Sequence, residues 1–204
     1  MNIILIGYRA AGKSTVGKTL AERLDKKFVD TDEVLKERHG VSITDMVKAH
    51  GWSYFRAHEK RLIEDVSRED HLVIAPGGGV VLDEENVMAL KKNGFLIWLK
   101  AELEVLTRRM DQDPQTVTNR PPLTGKGALE ELRDVMAYRI PYYEKAMDTK
   151  IDTSTMGVQA VVEAVLSIVQ TPLHLSHREG NRAGEMMADR LERNDLPSID
   201  RRSE

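Results

Sequence analysis

A glycine-rich loop near the start of the chain constrains the fold more than any other feature. Residues 7–14 read Gly-Tyr-Arg-Ala-Ala-Gly-Lys-Ser and fit the pattern G-x-x-x-x-G-K-[ST]. An apolar run at 2–6 precedes the loop, and Val16, Leu20 and Leu24 recur at helical spacing after it. We therefore predict a strand, a phosphate-binding loop and a helix in that order. A glycine turn that only connects a strand to a helix is the alternative.

The loop residues offer the chemistry that holds a nucleoside triphosphate together with Mg²⁺. Backbone N–H groups and the helix N-terminus attract the polyphosphate, Lys13 reaches the outer phosphates, and the Ser14 hydroxyl is a ligand for Mg²⁺. The residues predicted to contact the nucleotide here are Gly7, Ala10, Ala11, Gly12, Lys13, Ser14 and Thr15.

Short apolar runs alternate with longer amphipathic stretches along the rest of the chain. The predicted strands are 2–6, 27–31, 72–75, 95–99 and 150–153. The predicted helices after the first are 42–51, 53–69, 84–93, 102–110, 128–147 and 157–170. Such alternation favours an α/β fold, in which helices flank a five-stranded parallel sheet and ligands bind beyond the carboxyl ends of the strands.

Two segments depart from this alternation. Residues 111–127 are rich in Pro and Gly and predict a long loop between two helices, a type of loop that is often functional. From residue 171 onward the chain is polar and mixes both signs of charge, which predicts a poorly ordered tail. The predicted organisation is therefore one domain over 1–170 and a tail over 171–204.

Composition excludes several classes of function. With 30 Lys and Arg against 33 Asp and Glu, the net charge of -3 provides no positive field for nucleic acid or anionic lipid. The chain has no Cys, which excludes disulfides, thiolate catalysis and Cys-ligated zinc. The apolar run near its start is too short to resemble a secretory signal, and we find no apolar run that could span a bilayer. We expect a cytoplasmic monomer that binds neither nucleic acid nor membrane.

Polar residues and glycines near the ends of later strands are candidates for a second substrate site. Asp30 and Asp32 stand at the carboxyl end of the second predicted strand, where carboxylates can act on Mg²⁺ and accept a proton from an attacking hydroxyl; capping of a helix is the alternative. Gly77–Gly79 follow the third strand and let a backbone approach a ligand closely, with a plain loop as the alternative. Taken alone, Arg56 and Glu59 are typical of an ion pair on a solvated helix surface.

Several motifs occur together in an order that resembles the shikimate kinase family. They are the phosphate loop, D-x-D at 30–32, F-R-x-x-E at 55–59, G-G-G at 77–79, Arg-Pro at 120–121 and R-x-P-x-Y at 139–143. The resemblance covers about residues 1–170. It implies a P-loop fold like that of the nucleoside monophosphate kinases, with a lid at about 111–127. It also implies phosphorylation of a shikimate hydroxyl by ATP in aromatic amino acid biosynthesis.

The resemblance assigns roles that the residues alone leave open. Arg56 and Arg139 would grip the shikimate carboxylate, because a planar guanidinium can make two parallel bonds to it. Asp32, with the glycines at 77–79, would hold the ring hydroxyls and help to deprotonate the one that reacts. Asp30 would act on Mg²⁺ through water.

Two further arginines receive nucleotide roles from the resemblance. Arg120 lies in the lid, which would close over ATP, bring a cation to the transferring phosphoryl group and exclude water. Arg109 would stack on the adenine, and residues 152–155 would flank the base.

The chain departs from the commoner family pattern at a few positions. Ala10 stands where a Gly is usual, which matters only if that position requires a positive φ. Pro76 precedes the triple glycine. The lid reads Arg-Pro-Pro-Leu, and acidic residues such as Asp111 and Asp113 lie near it in the sequence. A polar tail follows the domain. Arg139 lies in a helix that we expect Pro141 to interrupt.

Three other functions are compatible with the phosphate loop. A kinase for another polyol acid, such as gluconate, would share the fold but is not expected to carry all the acceptor motifs together. A nucleoside monophosphate kinase needs a second site for a base, whereas the candidates here are Arg and Gly. A nucleotide-dependent binding module would bind ATP without turnover, but its buried polar groups would then have no substrate to account for them.

Overall fold

The computed structural model describes residues 1–112 and 128–171 of the chain. The predicted lid from residue 113 onward, with Arg120, and the tail from residue 172 onward lie outside the described residues. The chain divides into two units, Met1–Ala164 and Val165–Glu204, and every strand within the described residues belongs to the first. In the second unit, the Thr171 hydroxyl donates to the Ser167 carbonyl at 2.6 Å at the end of the last helix.

The helices and strands follow the predicted alternation. The strands are β1 (Asn2–Ile6), β2 (Lys27–Asp30), β3 (Leu72–Ala75), β4 (Gly94–Lys100) and β5 (Thr149–Asp152). The helices are α1 (Lys13–Arg23), α2 (Thr31–His39), α3 (Ile43–Arg68), α4 (Glu84–Lys92), α5 (Leu103–Gln112), α6 (Ala128–Ala146) and α7 (Val158–Gln170). A short 3₁₀ turn, Val80–Leu82, follows β3.

The sheet has five parallel strands in the order β2-β3-β1-β4-β5, which confirms the predicted fold class. In the central strand, Ile4 pairs with Ile74 of β3 and with Leu96 of β4. Every residue of β1 and β3 is buried, as expected of strands covered by helices on both faces. Because the strands are parallel, the segments after β1, β2 and β3 meet at one edge of the sheet.

Helix α2 was not among the predicted helices, and β2 is one residue shorter than predicted. The Asp30 side chain accepts hydrogen bonds from the backbone N–H groups of Asp32 and Glu33, so the capping alternative is correct for Asp30. Thr31 therefore starts the helix instead of ending the strand. Gly40, with a φ of 67°, ends the helix in the left-handed conformation that favours glycine.

Other helices and strands also differ from the predictions, most of them by one residue at an end. The two helices predicted over 42–51 and 53–69 form α3, within which Gly51 breaks the helical geometry with a φ of 82° and a ψ of 169°. Helix α6 continues past Pro141, so the predicted interruption is wrong. Helix α5 extends to Gln112, and Asp111 therefore belongs to this helix and not to a loop.

None of the helices in the described ranges, 1–112 and 128–171, has the length and the apolar character needed to cross a membrane.

Candidate active site

The loop after β1 is built around glycines that a side chain could not replace. Gly7 has a φ of 147°, and a Cβ at this position would lie 2.5 Å from the Leu99 carbonyl oxygen. Gly12 has a φ of 95° and is the N-cap of α1. The first N–H groups of any helix lack partners within it, so the loop and the α1 N-terminus together form a site that attracts anions.

Lys13 lies across this loop. Its Nζ donates to the carbonyl oxygens of Gly7 at 2.9 Å and Tyr8 at 3.0 Å. These contacts hold the ammonium group against the loop backbone, where the outer phosphates of a nucleotide are expected.

Ser14 and Asp30 meet beside the loop. The Ser14 hydroxyl donates to Asp30 Oδ2 at 2.6 Å, while Asp30 Oδ1 caps α2. Within 1–112 and 128–171, no group of three or more His, Cys, Asp and Glu residues could hold a metal ion. A hydroxyl and a carboxylate side by side nevertheless fit Mg²⁺, which prefers hard oxygens and takes few ligands from the protein when phosphates and water supply the rest.

Ala10 has a φ of 60°. Position 10 therefore requires a positive φ, and the presence of Ala in place of the usual Gly matters. A left-handed conformation costs an L-residue about 1–2 kcal/mol, whereas Gly adopts it freely.

We predict that Ala10→Gly stabilises the protein. The substitution relieves the strain energy of Ala10. It also gives the unfolded chain more conformational freedom, which lowers the stability by about 0.4–1 kcal/mol. The first effect is larger, so we expect the free energy of unfolding to rise by about 0.5–1 kcal/mol. For a chain of this size, Tm should rise by about 1–4 °C, as measured by calorimetry. Ala11→Gly is the matched control: Ala11 is buried and has no positive φ, so this change should lower Tm. A lower Tm for both variants would contradict the interpretation of Ala10.

The predicted acceptor residues line one pocket. Asp32, Arg56, Gly77–Gly79 and Arg139 line a pocket that opens to solvent. The pocket thus brings together residues from four separate motifs.

Arg56 and Glu59 do not form the solvated surface pair that their spacing alone indicates. Glu59 is only 1% exposed, and Arg56 Nη1 donates to its Oε2. The Arg56 guanidinium lies over the rings of Trp52 at 5.6 Å and Phe55 at 5.2 Å. It also packs so closely on Gly79 that a Cβ there would collide with it. The pair therefore forms one wall of the pocket.

Two carboxylates converge on Gly77. A Cβ at this position would lie 2.8 Å from Glu59 Oε1 and 2.9 Å from Asp32 Oδ1. Burial raises the pKa of the Glu59 carboxyl, although Arg56 and Arg139 oppose the rise. The Gly77 N–H donates to the Thr31 hydroxyl at 3.2 Å. Gly77 thus gives the carboxylates room, while its own amide is bound within the protein.

Arg139 reaches the pocket from α6. It is 8% exposed, its Nη1 donates to the Gly78 carbonyl at 3.2 Å, and its guanidinium lies 5.6 Å from the centre of the Tyr8 ring. The Tyr143 hydroxyl donates to the same carbonyl at 2.5 Å. Two guanidinium groups thus reach the glycines of the pocket, one from α3 and one from α6.

Arg109 connects the phosphate loop to the segment after β5. It donates to the Thr153 carbonyl at 2.7 Å, to the Thr153 hydroxyl at 3.2 Å and to the Ala10 carbonyl at 3.5 Å. The residues predicted to flank adenine are therefore close together, next to the phosphate loop.

Comparison with known proteins agrees with this arrangement. The family model described as "Shikimate kinase" matches residues 9–170. The chain belongs to the shikimate kinase family.

Individual relatives are similar over most of their length. Shikimate kinase of Syntrophus aciditrophicus is 39% identical over 83% of this chain and 91% of its own, and that of Symbiobacterium thermophilum is 40% identical over 83% and 97%. Among solved structures, shikimate kinase from Acinetobacter baumannii in complex with shikimate has a TM-score of 0.76 and 30% identity, covering 86% of this chain and 93% of that one. The family and the fold inferred from the motifs are thereby confirmed.

Sequence reasoning missed several residues of the acceptor pocket. Tyr8 occupies a position at which the loop motif accepts any residue, so no signal was present. Glu59 carried a signal, because Phe55, Leu62 and Val66 recur at helical spacing and Glu59 stands among them on the buried stripe of α3. An acidic residue on such a stripe indicates a buried partner or a ligand.

Proposed function

We propose that this protein transfers the γ-phosphoryl group of ATP to a hydroxyl group of shikimate and releases ADP and shikimate 3-phosphate. A groove lies along the phosphate loop and is lined by residues of the loop, of β2 and of α2. Asp32 carries the proposal, because it lines both the acceptor pocket and this groove along the phosphate loop. Phosphoryl transfer needs the donor and the acceptor in line and close together, with a group nearby that takes the hydroxyl proton. Membership of the shikimate kinase family favours shikimate over a gluconate-type acceptor.

The acceptor pocket supplies the groups that shikimate requires. We assign its carboxylate to Arg56 and Arg139, whose guanidinium groups are held in place by Glu59 and by the Gly78 carbonyl. We assign its ring hydroxyls to Asp32 and to the backbone of Gly78 and Gly79.

The reaction is a single displacement at phosphorus. The acceptor hydroxyl oxygen forms a bond to the γ-phosphorus as the bond from that phosphorus to the β–γ bridging oxygen breaks, and ADP leaves with the electron pair. The hydroxyl proton passes to the Asp32 carboxylate and then to water. Lys13 balances the charge that develops on the transferring and departing oxygens.

We assign the metal to Ser14 and Asp30, which would hold Mg²⁺ directly and through water. When bound, Mg²⁺ neutralises charge on the β- and γ-phosphates.

The remaining assignments follow from family membership and stay proposals. We propose that Arg120 acts as the cation of a lid over 113–127, that Arg109 lies against adenine, and that the protein works as a cytoplasmic monomer. The kinase domain would span 1–170, and residues 171–204 would form a tail that catalysis does not need.

A coupled assay of ADP release tests the proposed function. Full-length protein with Mg-ATP should release ADP in a saturable manner when shikimate is added, and at background rates with gluconate or with no acceptor. Equal release with gluconate would assign another acceptor. ATP binding without release on either acceptor would favour a nucleotide-dependent binding module.

A further inference from the structure

Arg9 occupies the boundary between the two substrate sites. It lines the acceptor pocket, and it also lines the groove along the phosphate loop. Among the residues that the structure describes, Arg9 and Asp32 are the charged residues that line both. A phosphoryl group that moves from ATP to the acceptor therefore passes between a carboxylate and a guanidinium.

Tyr8 holds Arg9 in this position. Arg9 Nε and Nη2 donate to the Tyr8 hydroxyl oxygen at 3.2 and 3.1 Å. The Tyr8 ring is 2% exposed, and the guanidinium groups of Arg9 and Arg139 lie 5.4 and 5.6 Å from its centre. Because this ring is fixed in the core, the half-buried Arg9 has a rigid support.

The position of Arg9, at the boundary with the groove along the phosphate loop, distinguishes it from the other two arginines of the acceptor pocket. Arg56 is paired with Glu59, and Arg139 is bound to the Gly78 carbonyl deep in the pocket. These two cations suit the one negative charge of shikimate. The product carries a phosphate as well, which adds a charge of about -1.5 to -2 at neutral pH. That added charge arises on the side of the pocket that faces the phosphate loop, where Arg9 lies.

We propose that Arg9 binds the phosphoryl group during transfer and stays in contact with the phosphate of the product. This inference rests on the proposed function. As the acceptor oxygen bonds to the γ-phosphorus and the bridging oxygen leaves with ADP, Arg9 donates N–H groups to the non-bridging oxygens and exchanges neither protons nor electrons with them. Arg9 therefore discriminates between shikimate, which lacks a phosphate, and shikimate 3-phosphate.

The test compares the affinities of the two ligands by isothermal titration calorimetry on the full-length protein. Arg9→Met should weaken binding of shikimate 3-phosphate about 10- to 100-fold, the range for loss of one charge-assisted contact, and change shikimate affinity less than about twofold. Arg9→Lys, which keeps the charge and loses the fork, should show an intermediate loss. Arg23→Met, at an arginine that is 48% exposed, is the matched control and should leave both affinities unchanged.

Tyr8→Phe tests the support separately. It removes the acceptor of the two Arg9 hydrogen bonds and keeps the ring, so shikimate 3-phosphate should bind about three- to tenfold more weakly with shikimate affinity unchanged. If Arg9→Met fails to fold, the affinities of Arg9→Lys and Tyr8→Phe for shikimate 3-phosphate and for shikimate test the inference instead.

Each result separates this inference from the proposed function. Unchanged affinity for shikimate 3-phosphate in the Arg9 variants would overturn the inference, and so would equal losses for both ligands, because these would place Arg9 on the carboxylate or in a structural role. A wild-type protein that binds neither ligand would instead overturn the proposed function.

Discussion

Lys13→Ala should lower kcat by about 10³-fold or more, equivalent to about 4 kcal/mol of transition-state stabilisation. The Lys13 ammonium is held at the phosphate loop by the carbonyl oxygens of Gly7 and Tyr8, where we propose that it contacts the outer phosphates. Removal of this cation would leave the charge that develops on the leaving oxygens without the counter-charge of Lys13. The measurement is kcat at saturating Mg-ATP and shikimate.

Two controls distinguish a loss of catalysis from a loss of structure in Lys13→Ala. Lys92→Ala, at an exposed residue at the end of α4, should leave kcat within about twofold, since distant surface substitutions rarely perturb a fold. Thermal unfolding of Lys13→Ala should remain cooperative, which would show that the loop survives the change. Near-normal turnover would remove Lys13 from the mechanism and with it the proposed use of the phosphate loop.

Arg139→Lys should weaken shikimate binding by about 2–5 kcal/mol, roughly 30-fold to several thousand-fold, and change ATP affinity little. Arg139 is 8% exposed, bonded to the Gly78 carbonyl and packed over the Tyr8 ring. Lysine retains the charge but cannot present two parallel N–H groups to a carboxylate while it keeps the other contacts. Calorimetric titration with each substrate measures the difference directly.

Tyr143→Phe separates the loss of substrate contact from displacement of the glycines. The Tyr143 hydroxyl is the second donor to the Gly78 carbonyl, and its removal perturbs Gly78 without touching the predicted carboxylate site. This variant should lose much less shikimate affinity than Arg139→Lys. Equal losses would mean that Arg139 acts by positioning Gly78. An unchanged shikimate affinity in Arg139→Lys would refute its assignment altogether.

The fold was predictable because the signals in this chain agree with one another. A buried parallel strand reads as a short apolar run, and the glycine loop fixes the first strand–loop–helix unit and its direction. The order of the strands within the sheet could not be read in this way. It depends on which helix crosses which face, and so on packing between residues far apart in the sequence.

The site residues that belong to a sequence motif were predictable. The contacts that depend on tertiary packing were not. Asp30 illustrates this limit, since the D-x-D pattern is compatible both with a metal site and with a helix cap. The structure shows the cap, and the same carboxylate accepts the Ser14 hydroxyl. One oxygen serves the helix while the other faces the phosphate loop, so the two interpretations are not exclusive.

The bonds from α6 to Gly78 have a consequence for protein synthesis. Arg139 and Tyr143 are 61 and 65 residues away from Gly78 in sequence, and both secure its carbonyl. A chain that emerges from the ribosome from its N-terminus has its phosphate loop long before it has these side chains. The acceptor half of the site therefore forms late in translation, so a chain interrupted before residue 139 lacks the wall that α6 provides.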